Sequence, residues 1–139
     1  KGASYALNER MSNVAFLRTR IEFIEYCFSE NEVDEIWITF PDPQIKKRRS
    51  KKRLTHPNFL KKYKNIMRDN GLIHLKTDSQ FLHGFTLGVI ASQDYEIEET
   101  TTDLYSSYLE KECMGIITHY EKIYLEKSIP ITYLRFRLK

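Results

Sequence analysis

This chain of 139 residues is poor in glycine. Its five glycines stand at positions 2, 71, 84, 88 and 115, and none falls into a GxGxxG arrangement. That excludes a glycine-rich nucleotide cradle within this stretch, because such loops need closely spaced residues with free backbone angles. Cysteine is scarcer still. Cys27 and Cys113 lie far apart with no CxxC or Cys/His spacing, so neither a disulfide framework nor a structural zinc site is expected. They read as free thiols in a reducing cytoplasm. His56, His74 and His83 lack ligand spacing, and no metal is expected; His74, within a strand, reads as a packed residue. No apolar run is long enough to cross a bilayer, and no secretory signal pattern is present. Nothing arranges a Ser/His/Asp or Cys/His nucleophile.

One more absence is local. Residues 46–64 contain ten Lys or Arg and no Asp or Glu, although the chain carries 19 acidic residues and a net charge of only +3. The near-neutral total therefore hides a strongly polar molecule. Concentrated positive charge attracts polyanions and makes their binding salt-dependent through counterion release. A solvated loop or a localisation-type signal is the plainer reading of such a run. Its setting favours polyanion binding instead. Phe40-Pro41-Asp42-Pro43-Gln44-Ile45 precedes it directly and joins a buried strand to a carboxylate in a stiff Pro-Asp-Pro turn.

The aromatic content, with nine Tyr, eight Phe and one Trp, argues for a packed core, and the length fits one domain. The stretch from Lys1 is helix-like, 14–17 reads as a short strand and 21–28 as a short buried helix. Residues 35–40 read as a strand apolar on both faces, a mark of parallel sheets covered by helices. A helix is expected over 56–69, capped by Thr55 and stopped by Asn70-Gly71, with Phe59, Leu60, Tyr63, Ile66 and Met67 inward. A strand over 72–77 and a helix over 79–92 follow, the latter with Phe81, Leu82, Phe85 and Val89 inward. Residues 95–102 read as a strand, 116–126 as a helix with Ile116, Ile117, Tyr120, Ile123 and Tyr124 on its apolar stripe, and 134–138 as a closing strand. This alternation implies an α/β sandwich with a mostly parallel sheet.

Ligands of open α/β sheets bind beyond the carboxyl ends of the strands. Asp42 and Asp78 each follow a strand and are expected at one rim. Asp78 reads equally as a helix N-cap. Thr118, His119 and Glu121 lie off the apolar stripe and read as a solvated face. Tyr120 is suited to either core packing or stacking. Lys46, the first cation after the turn, can serve the site or a phosphate.

Phe40-Pro41-Asp42-Pro43, the basic loop, Leu54, the Lys76-Thr77-Asp78 strand end and Thr118-His119-Tyr120-Glu121 together resemble the bacterial tRNA (guanine-N7-)-methyltransferase family along the whole chain. The resemblance implies a class I methyltransferase fold, a Rossmann-like three-layer sandwich. It implies S-adenosylmethionine as methyl donor, guanine in the tRNA variable loop as acceptor, and a cytoplasmic protein. It assigns Asp42 as the catalytic carboxylate near the cofactor. Lys46, Asp78, Thr118, His119, Tyr120 and Glu121 are assigned to the substrate. The loop over 44–55 is the substrate loop, its Lys47, Arg48, Arg49, Lys51, Lys52 and Arg53 gripping phosphates. The family usually has Trp where Gln44 stands, and commonly an acid where Arg18-Thr19-Arg20 follows the first strand. Its glycine-rich cofactor loop precedes the region matching Lys1-Gly2-Ala3. A single partial domain, truncated at its N-terminus, is therefore expected over 1–139, with an open sheet edge that favours a homodimer. A non-catalytic RNA-binding module or inactive fragment is the alternative.

Overall fold

The computed structural model describes residues 1–113 and 115–139. Helix α1 (Gly2–Asn8) and a 3₁₀ helix (Ile21–Tyr26) precede strand β1 (Val33–Thr39). A second 3₁₀ helix (Lys47–Lys52), α2 (Pro57–Ile66), β2 (Met67–Thr77) and α3 (Gln80–Ser92) follow. The chain then forms β3 (Glu96–Thr101), a 3₁₀ helix (Tyr108–Cys113), α4 (His119–Glu126) and β4 (Thr132–Arg137).

The four strands make one sheet in the order β1-β2-β4-β3. Strands β1 and β2 are parallel, with Trp37 opposite His74 and Thr39 opposite Lys76. Strand β4 lies antiparallel to both β2 and β3. The sheet is thus mixed, where the alternation of elements predicts a mostly parallel one. A strand apolar on both faces suits parallel pairing, as β1 and β2 show, but the pattern does not fix the direction of the remaining strands. Only the β1–α2–β2 unit is the crossover that a parallel neighbour requires.

Side chains alternate across the strands and build a core on each face. Helices α2 and α3 cover one face, where Ile38, Ile73, Leu75, Leu134 and Phe136 meet Leu60 and Leu82. Leu60, Leu75 and Leu82 are fully buried, each stabilising the fold by about 1.5–3 kcal/mol. On the opposite face Tyr133 and Ile131 pack with Leu104, Leu109 and Cys113, and Phe40, Tyr124 and Leu125 lean on them. The expected three layers are present.

Several boundaries differ from the sequence expectation. Residues 14–17 form no strand, and Val14, Phe16 and Leu17 are exposed. Among the described residues no neighbouring strand pairs with them, and an unpaired strand has no ladder to hold it. Helix α2 stops at Ile66 rather than near Asp69, because Met67 joins the parallel ladder opposite Val33. Asn70 adopts a positive φ of 63° within a register shift, so Asn70-Gly71 marks a strand irregularity and no helix stop. His56 caps α2 through Nδ1, which accepts from the Asn58 N–H at 3.2 Å, while Thr55 is buried and bonds Thr86 Oγ1 at 2.7 Å.

Candidate active site at the strand ends

The register of β1 on β2 brings their carboxyl ends to one rim, as expected from the two strand-terminal aspartates. The Phe40 N–H donates to the Lys76 carbonyl at 2.8 Å and continues the ladder one residue past β1. The chain then turns sharply. Phe40 (φ 49°) and Gln44 (φ 46°) both occupy the left-handed region, which costs a non-glycine residue about 1–2 kcal/mol each. Pro41-Asp42-Pro43 lies between them, and Asp42 Oδ1 accepts from the Gln44 N–H at 2.9 Å. Two prolines, a side chain-to-backbone bond and two strained residues leave the exposed Asp42 little freedom. The Phe40 ring braces this turn against Tyr124, their centroids 5.8 Å apart.

At the end of β2 the helix cap is Ser79, not Asp78. Ser79 Oγ accepts from the Leu82 N–H at 3.2 Å, and its own N–H donates to Thr77 Oγ1 at 3.1 Å. Asp78 is thereby released from the capping role and stands half-buried at the rim.

The basic segment winds into the 3₁₀ helix over Lys47–Lys52, and Lys46, Lys47, Arg48, Arg49, Lys51 and Lys52 are all exposed. Arg53 departs from the phosphate-binding role that the resemblance assigns it. It is 6% exposed, and its guanidinium donates to the Gln44 carbonyl at 3.2 and 3.1 Å and to the Ile45 carbonyl at 3.3 Å. The group is also stacked over Phe81 and Phe85, 4.7 and 4.4 Å from their centroids. Phe81, expected inward, is instead an exposed platform for this cation. Arg53 clamps the base of the Asp42 turn to α3; its neighbours carry the accessible charge.

Helix α4 begins at His119 rather than at 116, so Ile116 and Ile117 lie in the segment before it, and the helix is turned relative to the expected stripe. Ile116, Ile117 and Tyr120 are exposed, and Glu121 is fully buried. Tyr120 is therefore exposed for stacking rather than packed in the core, and the His119 ring lies near it, centroids 5.7 Å apart. Thr118 and Glu121 form a complete capping box: Thr118 Oγ1 accepts from the Glu121 N–H and Glu121 Oε2 from the Thr118 N–H, at 3.3 and 2.9 Å. The other carboxylate oxygen, Oε1, lies 2.6 Å from Lys76 Nζ and accepts from the Tyr105 hydroxyl at 2.6 Å. Burial, and then this bond to a carboxylate, hold the Tyr105 hydroxyl well above the usual tyrosine range. Glu121 is thus buried among partners and is not a residue of a solvated face. Removing one member of such a pair leaves an uncompensated buried charge, at about 3–5 kcal/mol.

Sequence reasoning missed Lys76 as a structural element and Tyr105 altogether. The available signal was a lysine on an otherwise apolar strand, Leu72-Ile73-His74-Leu75-Lys76. His74 behaves as expected of a packed residue. It is buried, stacks on Trp37 at 4.0 Å, and bonds the Tyr133 hydroxyl at 2.8 Å.

Two concavities flank the rim. One, about 310 Å³, is an apolar slot bounded by Trp37, Thr39, Lys76, Cys113, Ile116 and Thr118. The other, about 600 Å³, follows the outer edge of β1 past Ile21, Ile24, Trp37 and Pro41. Among the described residues, no three His, Cys, Asp or Glu gather as metal ligands, and no helix is long and apolar enough to cross a membrane.

Known structures share this fold. The crystal structure of geranyl diphosphate C-methyltransferase from Streptomyces coelicolor A3(2) superposes on 98% of this chain and 58% of its own, with TM-score 0.53 at 13% identity. The [4+2]-cyclase SpnF matches 97% of this chain and 60% of its own, with TM-score 0.56 at 13% identity. A fold shared by a methyltransferase and a cyclase fixes the Rossmann-like architecture and leaves the chemistry open. Closer in sequence, a tRNA (guanine-N(7)-)-methyltransferase of Christiangramia forsetii is 55% identical over 140 residues, spanning 100% of this chain and 62% of that protein. Another of that name, from Porphyromonas gingivalis, is 49% identical over 138 residues, spanning 99% of this chain and 56% of that protein. The chain thus spans about three fifths of the length of these curated relatives. The family model described as putative methyltransferase matches residues 3–134, nearly the whole chain, and on that match the chain belongs to the putative methyltransferase family.

Proposed function

We propose that the chain acts in the S-adenosylmethionine-dependent methylation of guanine N7 in the variable loop of tRNA, in the cytoplasm. One observation carries this reading: a braced, exposed carboxylate, Asp42, stands at the strand-end rim at the foot of a run of exposed cations, in a chain 55% identical to a protein bearing that activity in its name.

The chemistry asks little of the protein beyond placement. Guanine N7 carries an in-plane lone pair and no proton, so no general base is needed. When bound, S-adenosylmethionine supplies an electrophilic methyl on a positively charged sulfur. The residues present fit such a group: the groove along β1 offers an apolar wall of Ile21, Trp37 and Pro41 with the Glu35 carboxylate in its lining, and Asp42 follows Pro41 in the chain. Asp42 or Asp78 holds the guanine by accepting from its N1–H and exocyclic amine, and offsets the positive charge that the ring acquires. Lys46, Lys47, Arg48, Arg49, Lys51 and Lys52 grip phosphates, which position the RNA without reading its sequence. Thr118, His119 and Tyr120 face the substrate from the start of α4, and Tyr120 supplies an exposed ring for stacking.

The test is transfer of labelled methyl to unmodified tRNA, with the product mapped, using these residues alone and within a protein of the relatives' full length. N7-methylguanine in the variable loop is expected from the latter. Salt-dependent tRNA binding without transfer in either form would replace the reading with a non-catalytic RNA-binding module.

A further inference from the structure

We propose that Lys76, Glu121 and Tyr105 form a buried latch that positions the segment 116–118 over the strand-end rim, with Glu121 acting through Thr118. The kinetic part of this inference rests on the function proposed above; the structural part does not.

Both carboxylate oxygens of Glu121 have partners within the protein. The residue is fully buried, and Lys76 is 2% exposed. Glu121 Oε1 is shared by the Lys76 ammonium and the Tyr105 hydroxyl, both at 2.6 Å, and Oε2 accepts the Thr118 N–H at 2.9 Å. Lys76 Nζ also donates to the Ile116 carbonyl at 3.2 Å. One ammonium on β2 therefore ties down both the segment before α4 and the carboxylate that caps α4. Ile116 and Thr118 in turn form one wall of the apolar slot whose other wall is Trp37 and Thr39. Ile116 itself is 61% exposed, so little apolar packing of its own side chain holds this segment down. The latch decides the width of the slot between Ile116 and Thr118 on one side and Trp37 and Thr39 on the other, and how Thr118, His119 and Tyr120 are presented at the start of α4.

A latch, a substrate contact and a general stabilising pair make different predictions. The variants are Lys76→Met, Glu121→Gln and their combination, which removes both charges while keeping side-chain length and an amide oxygen for the capping box. Amide hydrogen exchange, read without any ligand, is expected to quicken by about tenfold or more at Thr118 and Glu121 in each variant, with Ile73 and Leu75 unchanged in the combined one. In the full-length protein, turnover is expected to fall by about tenfold in each variant, the combined loss being no larger than a single one, because the residues act as one unit. The KM for tRNA is expected to stay within about twofold, because the basic segment carries the phosphate grip.

Unchanged exchange at Thr118 and Glu121 in the combined variant would overturn the latch. So would a Glu121→Gln loss that Lys76→Met does not share, which marks a direct substrate contact. Exchange that quickens equally along β2 in the combined variant would reduce the pair to a general stabiliser and also overturn it. A wild-type protein without methyl transfer would sink the proposed function, and the exchange result would still decide the latch.

Discussion

Replacing Arg53 by lysine separates the two roles that residue can have. A phosphate contact tolerates lysine, since charge is what matters there. A clamp does not, because the planar fork and the stacking are lost together. In this structure one guanidinium serves two carbonyls and lies over two phenyl rings. A hydrogen bond from a charged donor is worth about 1.5–3 kcal/mol, and a lysine ammonium can recover one of the two acceptors. Each cation–π contact is worth about 0.5–1 kcal/mol at a partly open site, and lysine retains part of one. The net expected loss is about 2–3 kcal/mol, equivalent to a fall in Tm of roughly 6–10 °C for a chain of this size. Urea unfolding and calorimetry on Arg53→Lys measure it, and limited proteolysis after Lys46–Lys52 is expected to speed up as the turn loosens. A variant with unchanged stability and unchanged proteolysis would refute the clamp and return Arg53 to the phosphate surface, where lysine serves as well.

Three further outcomes are expected. Asp42→Asn keeps the bond to the Gln44 N–H but removes the charge, so turnover is expected to fall by about 10²–10³-fold with tRNA affinity nearly unchanged; unchanged turnover would clear Asp42 of its role. Neutralising Lys47, Arg48, Arg49, Lys51 and Lys52 together is expected to flatten the plot of log affinity against log salt by about 3–4 units if all five meet phosphates, and an unaltered slope would remove the segment from the interface. His56 and His83 are both held below the usual histidine range, chiefly by burial, and for His56 also by Lys51 and Arg53. Their neutral forms are favoured in the fold, so the unfolded chain binds more protons as acidity rises; stability is full above about pH 6.5 and declines as pH falls through the depressed values. Urea midpoints measured between about pH 7.5 and pH 5.5 check this, and a midpoint that rises on acidification contradicts it.

What was legible along the chain follows from local chemistry. Helix α3 and its extent were readable from the apolar spacing after a strand end, although its cap is Ser79 and not the Asp78 that the sequence offered. Strand β1 and its stop at Pro41-Asp42-Pro43 were readable because proline ends a ladder. Helix α4 was located, but its buried side was misjudged. Counting apolar residues placed Ile116, Ile117 and Tyr120 inward, whereas the fold buries Glu121. A carboxylate enters a core only when a cation is already waiting, and that cation stands 45 positions earlier, on β2. No window of local sequence contains both. Arg53 misled for the same reason. In sequence it is the last of a run of cations, and only the approach of Phe81, Phe85 and the Gln44 carbonyl separates it from the rest.

The sequence by itself therefore determined the alternating α/β plan, the rim that holds Asp42 and Asp78, and the basic segment beside it. Each depends on periodicity, proline stiffness or charge density, which neighbouring residues carry between them. Tertiary structure decided the strand directions, the exposure of Tyr120, and which charged residues are surface and which are internal struts. Those outcomes depend on partners distant in the chain, since the free energy of a buried charge is set by what it meets and not by what it is beside.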